Sequence, residues 1–141
     1  MRDYCAMSGS DRVGLLERVR ARMTAGGRML VDVESPERFA VREESCSIEE
    51  RPMGGFWAPG DHVAVHQTLL YPDQRVALDR YVIVEPDRSR KVHSWTAHLT
   101  VEEVREEFAS AGFTVVEVLG DVAGGPYDAG SPEFAVVATP T

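Results

Sequence analysis

Apolar positions along the chain change period three times. Leu15, Leu16, Val19 and Met23 recur at helical spacing and predict one apolar stripe on a helix. Ser8 supplies an N-cap, and Asp11 three residues on completes a capping box. Arg18, Arg20 and Arg22 sit late, where cations suit the helix dipole. Gly26-Gly27 predicts a left-handed stop. Met29–Val33 is then a nearly continuous apolar run, the pattern of a short strand buried on both faces.

From Glu43 to His98 the pattern turns strand-like. His62–Tyr71 and Val76–Val84 flank Pro72-Asp73-Gln74, a turn. A second turn at Pro86-Asp87-Arg88-Ser89 leads to a third strand, Lys91–His98, and Ser45–Arg51 offers a further one. The expectation is an antiparallel meander.

The helical period returns at Thr100. Thr100 as N-cap with Glu103 predicts a capping box, and Leu99 with Val104 a hydrophobic staple. Val101, Val104, Phe108 and Ala111 form the buried stripe, and Gly112 the stop. Phe113–Leu119 and Glu133–Ala138 read as strands around a Gly/Pro/Asp loop, Gly120–Ser131.

The chain has 141 residues, enough for one core, with ordinary apolar content of 43% and charge of 27%. No apolar run approaches the roughly 20 residues of a membrane span, and Met1-Arg2-Asp3-Tyr4 opens no signal-peptide core, so no membrane partner is expected and a cytoplasmic protein is. The net charge of −8, without a basic cluster, argues against nucleic acid as a partner. Cys5 and Cys46 have no metal-like spacing. His62 and His66 on a strand lie roughly 13 Å apart at about 3.3 Å per residue, too far for one ion. No metal site is predicted.

Three stretches carry a resemblance. "LLERVRARMTAGGRMLVDVES" resembles the helix and fifth strand of class I S-adenosylmethionine (SAM)-dependent methyltransferases, with Ala25 where that family has a proline before Gly-Gly. "LTVEEVREEFASAGFTVVEV" resembles its later helix and sixth strand, and "DVAGGPYDAGSPEFAVVATP" the hairpin into its seventh, antiparallel strand. The resemblance covers nearly the whole chain. It implies an α/β fold: the C-terminal half of a Rossmann-like methyltransferase sheet, final strand antiparallel, as one domain over 1–141. The β-meander at 40–99 is then a lid inserted in that domain. The family's Gly-rich loop and ribose-holding acid precede the point corresponding to Met1, and no GxGxG stands anywhere in the sequence. The cofactor implied is SAM, expected not to bind to this chain alone.

The function implied is that of a small-molecule methyltransferase relative, inactive alone and acting with a complementary N-terminal half. Two alternatives stand beside it: a small-molecule-binding isomerase or cyclase that has dropped SAM, and a non-catalytic interaction subunit. By resemblance, Asp3 and Tyr4 edge the cofactor site. His98, directly before the second helix, is the candidate general base. Phe56 and Trp57 in a Gly/Pro-rich loop, with Trp95 and Tyr127, are candidate substrate contacts. Met29–Val33, lacking the neighbour that the family supplies, would expose an apolar strand edge, so a homo-oligomer is expected if the missing half does not cover it.

Overall fold

The computed structural model describes residues 3–141. Two compact units are present: residues up to Val41 with Ala97–Thr141, and Arg42–Thr96.

In the first unit, α1 (Gly9–Arg20) starts at Ser8, whose hydroxyl accepts from the Asp11 backbone N–H at 3.2 Å and donates to the Asp11 carboxylate at 2.6 Å. The helix ends at Arg20, well before Gly26-Gly27, and neither glycine is left-handed. Arg22 donates to the Arg18 carbonyl at that end, while Arg20 reaches away from the helix to the carbonyls of Gly112 and Thr141. β1 (Met29–Glu34) follows, then a five-residue helix α2 (Pro36–Ala40) that the periodicity did not reveal.

Later come α4 (Val101–Ser110), β6 (Phe113–Leu119) and β7 (Glu133–Pro140). Thr100 and Glu103 form both bonds of the capping box. Gly112 takes φ +81° at the helix end, a conformation that favours glycine, and a Cβ there would also lie 2.5 Å from Arg20 Nε. The sheet runs β1-β7-β6 with both pairings antiparallel. β1 and β6 therefore point the same way, with the final strand reversed between them.

One face of that sheet makes the core. Val33, Phe134 and Val136 pack with Leu16 of α1 and with Val104 and Phe108 of α4. Arg12 of α1 and Glu107 of α4 lock the two helices through parallel bonds of 2.8 and 2.9 Å. The expected two-sided burial of β1 is corrected here: Leu30 is 48% exposed, because β1 lies at an edge and only one face of it meets helices.

The second unit is the expected meander. β2 (Ser45–Glu50), β3 (Val63–Tyr71), β4 (Val76–Val84) and β5 (Ser89–Ala97) lie in that order in one sheet. A single 3-10 turn at Pro72–Gln74 joins β3 to β4. Between β2 and β3 the short element α3 (Pro52–Gly55) contains left-handed Met53, and Arg51 before it is left-handed too. Non-glycine residues hold that conformation only where the surroundings enforce it.

Candidate functional site

The turn at Pro72–Gln74 sets the register of β3 on β4, and the register builds a polar cluster. His66 stands opposite Tyr81 and Thr68 opposite Asp79. Alternation puts these four on one face of the sheet, with Ala64 and Ile83 beyond them. Asp79 Oδ1 receives the Thr68 hydroxyl at 2.8 Å and His66 Nε2 at 3.0 Å, while Oδ2 receives Arg42 Nη2 at 2.7 Å. Burial raises the Asp79 carboxyl, but the bonds from Thr68, His66 and Arg42 outweigh it and hold the group below its ordinary value. The carboxylate is therefore ionised at neutral pH. Burial, and next the charge on Asp79, push the Tyr81 hydroxyl up, so it remains a protonated donor.

Aromatic rings extend this cluster. Tyr81 stacks on the His66 ring at 4.3 Å and 8°, Trp57 lies 4.7 Å from Tyr81, and Phe56 stands edge-on to Trp57 at 5.0 Å. Arg90 holds the loop by donating to the Trp57 carbonyl. Beside the cluster is a cleft of about 220 Å³ lined by Glu49, Pro52, Met53, Ala64, His66 and Tyr81.

A second site lies in the other unit, at the carboxyl end of β1. Glu34 ends the strand and is buried. His98 Nε2 lies 3.5 Å and Arg38 Nε 3.4 Å from its Oε2. Phe39 packs edge-on against the His98 ring at 5.2 Å. Next to this pair a cleft of about 140 Å³ is lined by Ser35, Pro36, Thr100, Val101, Tyr127 and Phe134, among others.

Phe56 and Trp57 thus come together with Tyr81 and His66, as sequence reasoning could not show. Trp95 does not join them; it packs on Tyr71 at 5.7 Å, which belongs to the alternate side-chain set of β3. Tyr127 lines the cleft at the end of β1, against Phe134. His98 precedes α4 as expected, but its ring is 0% exposed, and its Nε2 lies 3.5 Å from Glu34, a carboxylate remote in sequence. Asp3 is exposed, while Tyr4 is buried with its hydroxyl bonded to Glu107. Burial, then that bond, push the Tyr4 hydroxyl far up. Cys5 is buried beside it, its thiol raised to about 11 by burial, whereas Cys46 is exposed. The described residues contain no group of His, Cys, Asp and Glu able to hold a metal. They also contain no helix long and apolar enough to cross a membrane.

Sequence reading considered His66 only as half of a rejected metal pair and did not bring Asp79 to it. The signal was present: with the turn fixed at Pro72–Gln74, Thr68 and Asp79, and His66 and Tyr81, are mirror positions about it. The Arg12–Glu107 lock left no such signal, being a contact between helices separated by most of the chain.

No family model and no curated protein sequence matches the chain. Solved structures do. The CcbJ methyltransferase of Streptomyces caelestis matches with TM-score 0.66 at 14% identity, over 98% of this chain and 56% of that one. A SAM-dependent methyltransferase of Clostridium acetobutylicum gives 0.67 at 6% identity, over 99% and 55%. An amino pentose methyltransferase of Micromonospora echinaspora, solved with SAM, gives 0.55 at 18%, over 100% and 56%. The chain has a methyltransferase-like fold and spans just over half the length of these proteins. β1 runs from its carboxyl end into Ser35-Pro36, and none of the left-handed glycines (Gly54, Gly55, Gly112, Gly124) sits between a strand's carboxyl end and a helix N-terminus, where bare backbone would meet such a ligand.

Proposed function

We propose that this chain is the substrate-side half of a SAM-dependent small-molecule methyltransferase and that the donor is held by residues outside these 141. One observation carries the reading: the whole chain superposes on methyltransferases that are nearly twice as long, while it offers no Gly-rich loop for the donor. In this reading His98 with Glu34 is the imidazole–carboxylate pair at the carboxyl end of β1, where open α/β sheets bind ligands. Within the same unit Tyr127 is the substrate contact in the adjoining cleft, and Asp3, exposed just before the buried Tyr4, is the residue toward the donor; Phe56, Trp57 and Trp95 are aromatic candidates within the meander. Two neighbours, an amino pentose methyltransferase and a sugar N-methyltransferase, support an amine-bearing sugar as substrate. Catalysis would rest on holding nucleophile and donor in line.

Calorimetric titration with SAM and with its demethylated product tests the reading. The chain alone is expected to give no binding heat, and mixing with a protein carrying the Gly-rich half is expected to restore it. Micromolar binding by the chain alone would overturn the proposal.

A further inference from the structure

We propose that His66, oriented by Asp79, is the proton acceptor for a small-molecule amine bound in the cleft beside β3 and β4. The proposal goes beyond the methyl-transfer reading, since this cleft belongs to the meander and not to the unit that carries Tyr127 and His98. The acid–base assignment rests on the residues themselves.

Orientation comes first. A neutral imidazole donates from one nitrogen and accepts at the other. Asp79 is ionised and only accepts, so the 3.0 Å contact places the ring proton on Nε2. The lone pair is then on Nδ1, which has no hydrogen-bond partner among the described residues. Thr68 and Arg42 fix the carboxylate, and the parallel Tyr81 ring fixes the imidazole plane. A ring held for strand pairing alone has no need of three donors on its carboxylate. His66 also differs from His98 in access: its side chain is 31% exposed, whereas His98 is sealed.

The lining chooses the ligand. Every charged or titratable group facing His66 can be named. Glu49 from β2 lines the cleft, Asp79 and Tyr81 come from β4, and Arg42 reaches Asp79. Arg42 is neutralised by that pairing, so the uncompensated charge at the cleft is the Glu49 carboxylate. A cation is favoured here and an anion opposed. Met53, which lines the cleft, has a left-handed backbone.

The step balances. One N–H bond of the bound ammonium breaks and its electron pair stays on the amine nitrogen. The proton bonds to Nδ1, and the positive charge moves to an imidazolium facing Asp79. The product is a neutral amine, the form able to attack an electrophile.

The test uses the ¹⁵N-labelled chain and long-range imidazole spectra. His66 is expected as the Nε2–H tautomer, and Asp79→Asn is expected to lose that preference. Methylammonium, benzylamine and glucosamine are then titrated, with N-acetylglucosamine and benzyl alcohol as uncharged matches. The amines are expected to shift His66 and Tyr81 resonances, the uncharged compounds to leave them in place, and Glu49→Gln to weaken the response about fivefold. Glu49 is exposed on β2, so that variant reports even if Asp79→Asn fails to fold. An Nδ1–H tautomer overturns the proposal. So does silence toward all three amines, or an equal response to their uncharged matches. None of these readouts involves a methyl donor, so failure of the methyltransferase reading shows separately, in the SAM titration.

Discussion

At the scale of single residues, the polar groups that matter are those whose partners are distant in sequence. Arg12 is buried beside Glu107, bonded in parallel, with its remaining nitrogen on the Met7 carbonyl. Removing one member of a buried pair strands the other charge, so Arg12→Met is expected to lower unfolding free energy by about 3–5 kcal/mol. Urea unfolding followed by circular dichroism measures it. Asp79 gives a pH signature. Its carboxyl is held below the ordinary 3.8 in the folded state. Its stabilisation is therefore present above the unfolded value and lost as pH falls through the lower folded value. Asp79→Asn is expected to flatten the acid limb of the stability curve below 3.8 while lowering stability at neutral pH. Urea midpoints from pH 2 to 6 for both proteins check the sign, and an unchanged acid limb would remove Asp79 as its source.

At the scale of elements, local signals succeeded where they were self-contained. α4 has its cap, box and glycine stop within about a dozen residues, and all three form. Thr100→Ala is expected to cost about 1 kcal/mol, read as a lower thermal midpoint, while leaving the sheet intact. α1 shows the converse. Its N-cap at Ser8 forms, with the Asp11 carboxylate taking the Ser8 hydroxyl, but the helix ends at Arg20, so the Gly-Gly signal is not the stop. α2 was invisible because five residues cannot display a helical period.

At the scale of the whole chain, β1 is an edge strand of its sheet among the described residues. Among the described residues it pairs with β7, and Leu30 is half exposed on it. An apolar edge of this kind pairs with another chain unless blocked. Light scattering is expected to show self-association of the protein, and Leu30→Lys to shift it toward monomer. A monodisperse wild-type monomer would sink this expectation.

The sequence alone determined the order of elements, the meander, the capped α4 and the resemblance to a methyltransferase fold, because each rests on spacing within a few turns or on motif order. It also showed the lack of a Gly-rich loop. Only tertiary structure decided which side chains meet. It placed Glu34 on His98, Glu107 on Arg12 and Tyr4, and Asp79 on His66, and it separated Trp95 from Trp57. Periodicity reports which face of an element is apolar. It carries no information on the register or neighbour that brings a carboxylate to an imidazole, and the chemistry of a site depends on that meeting.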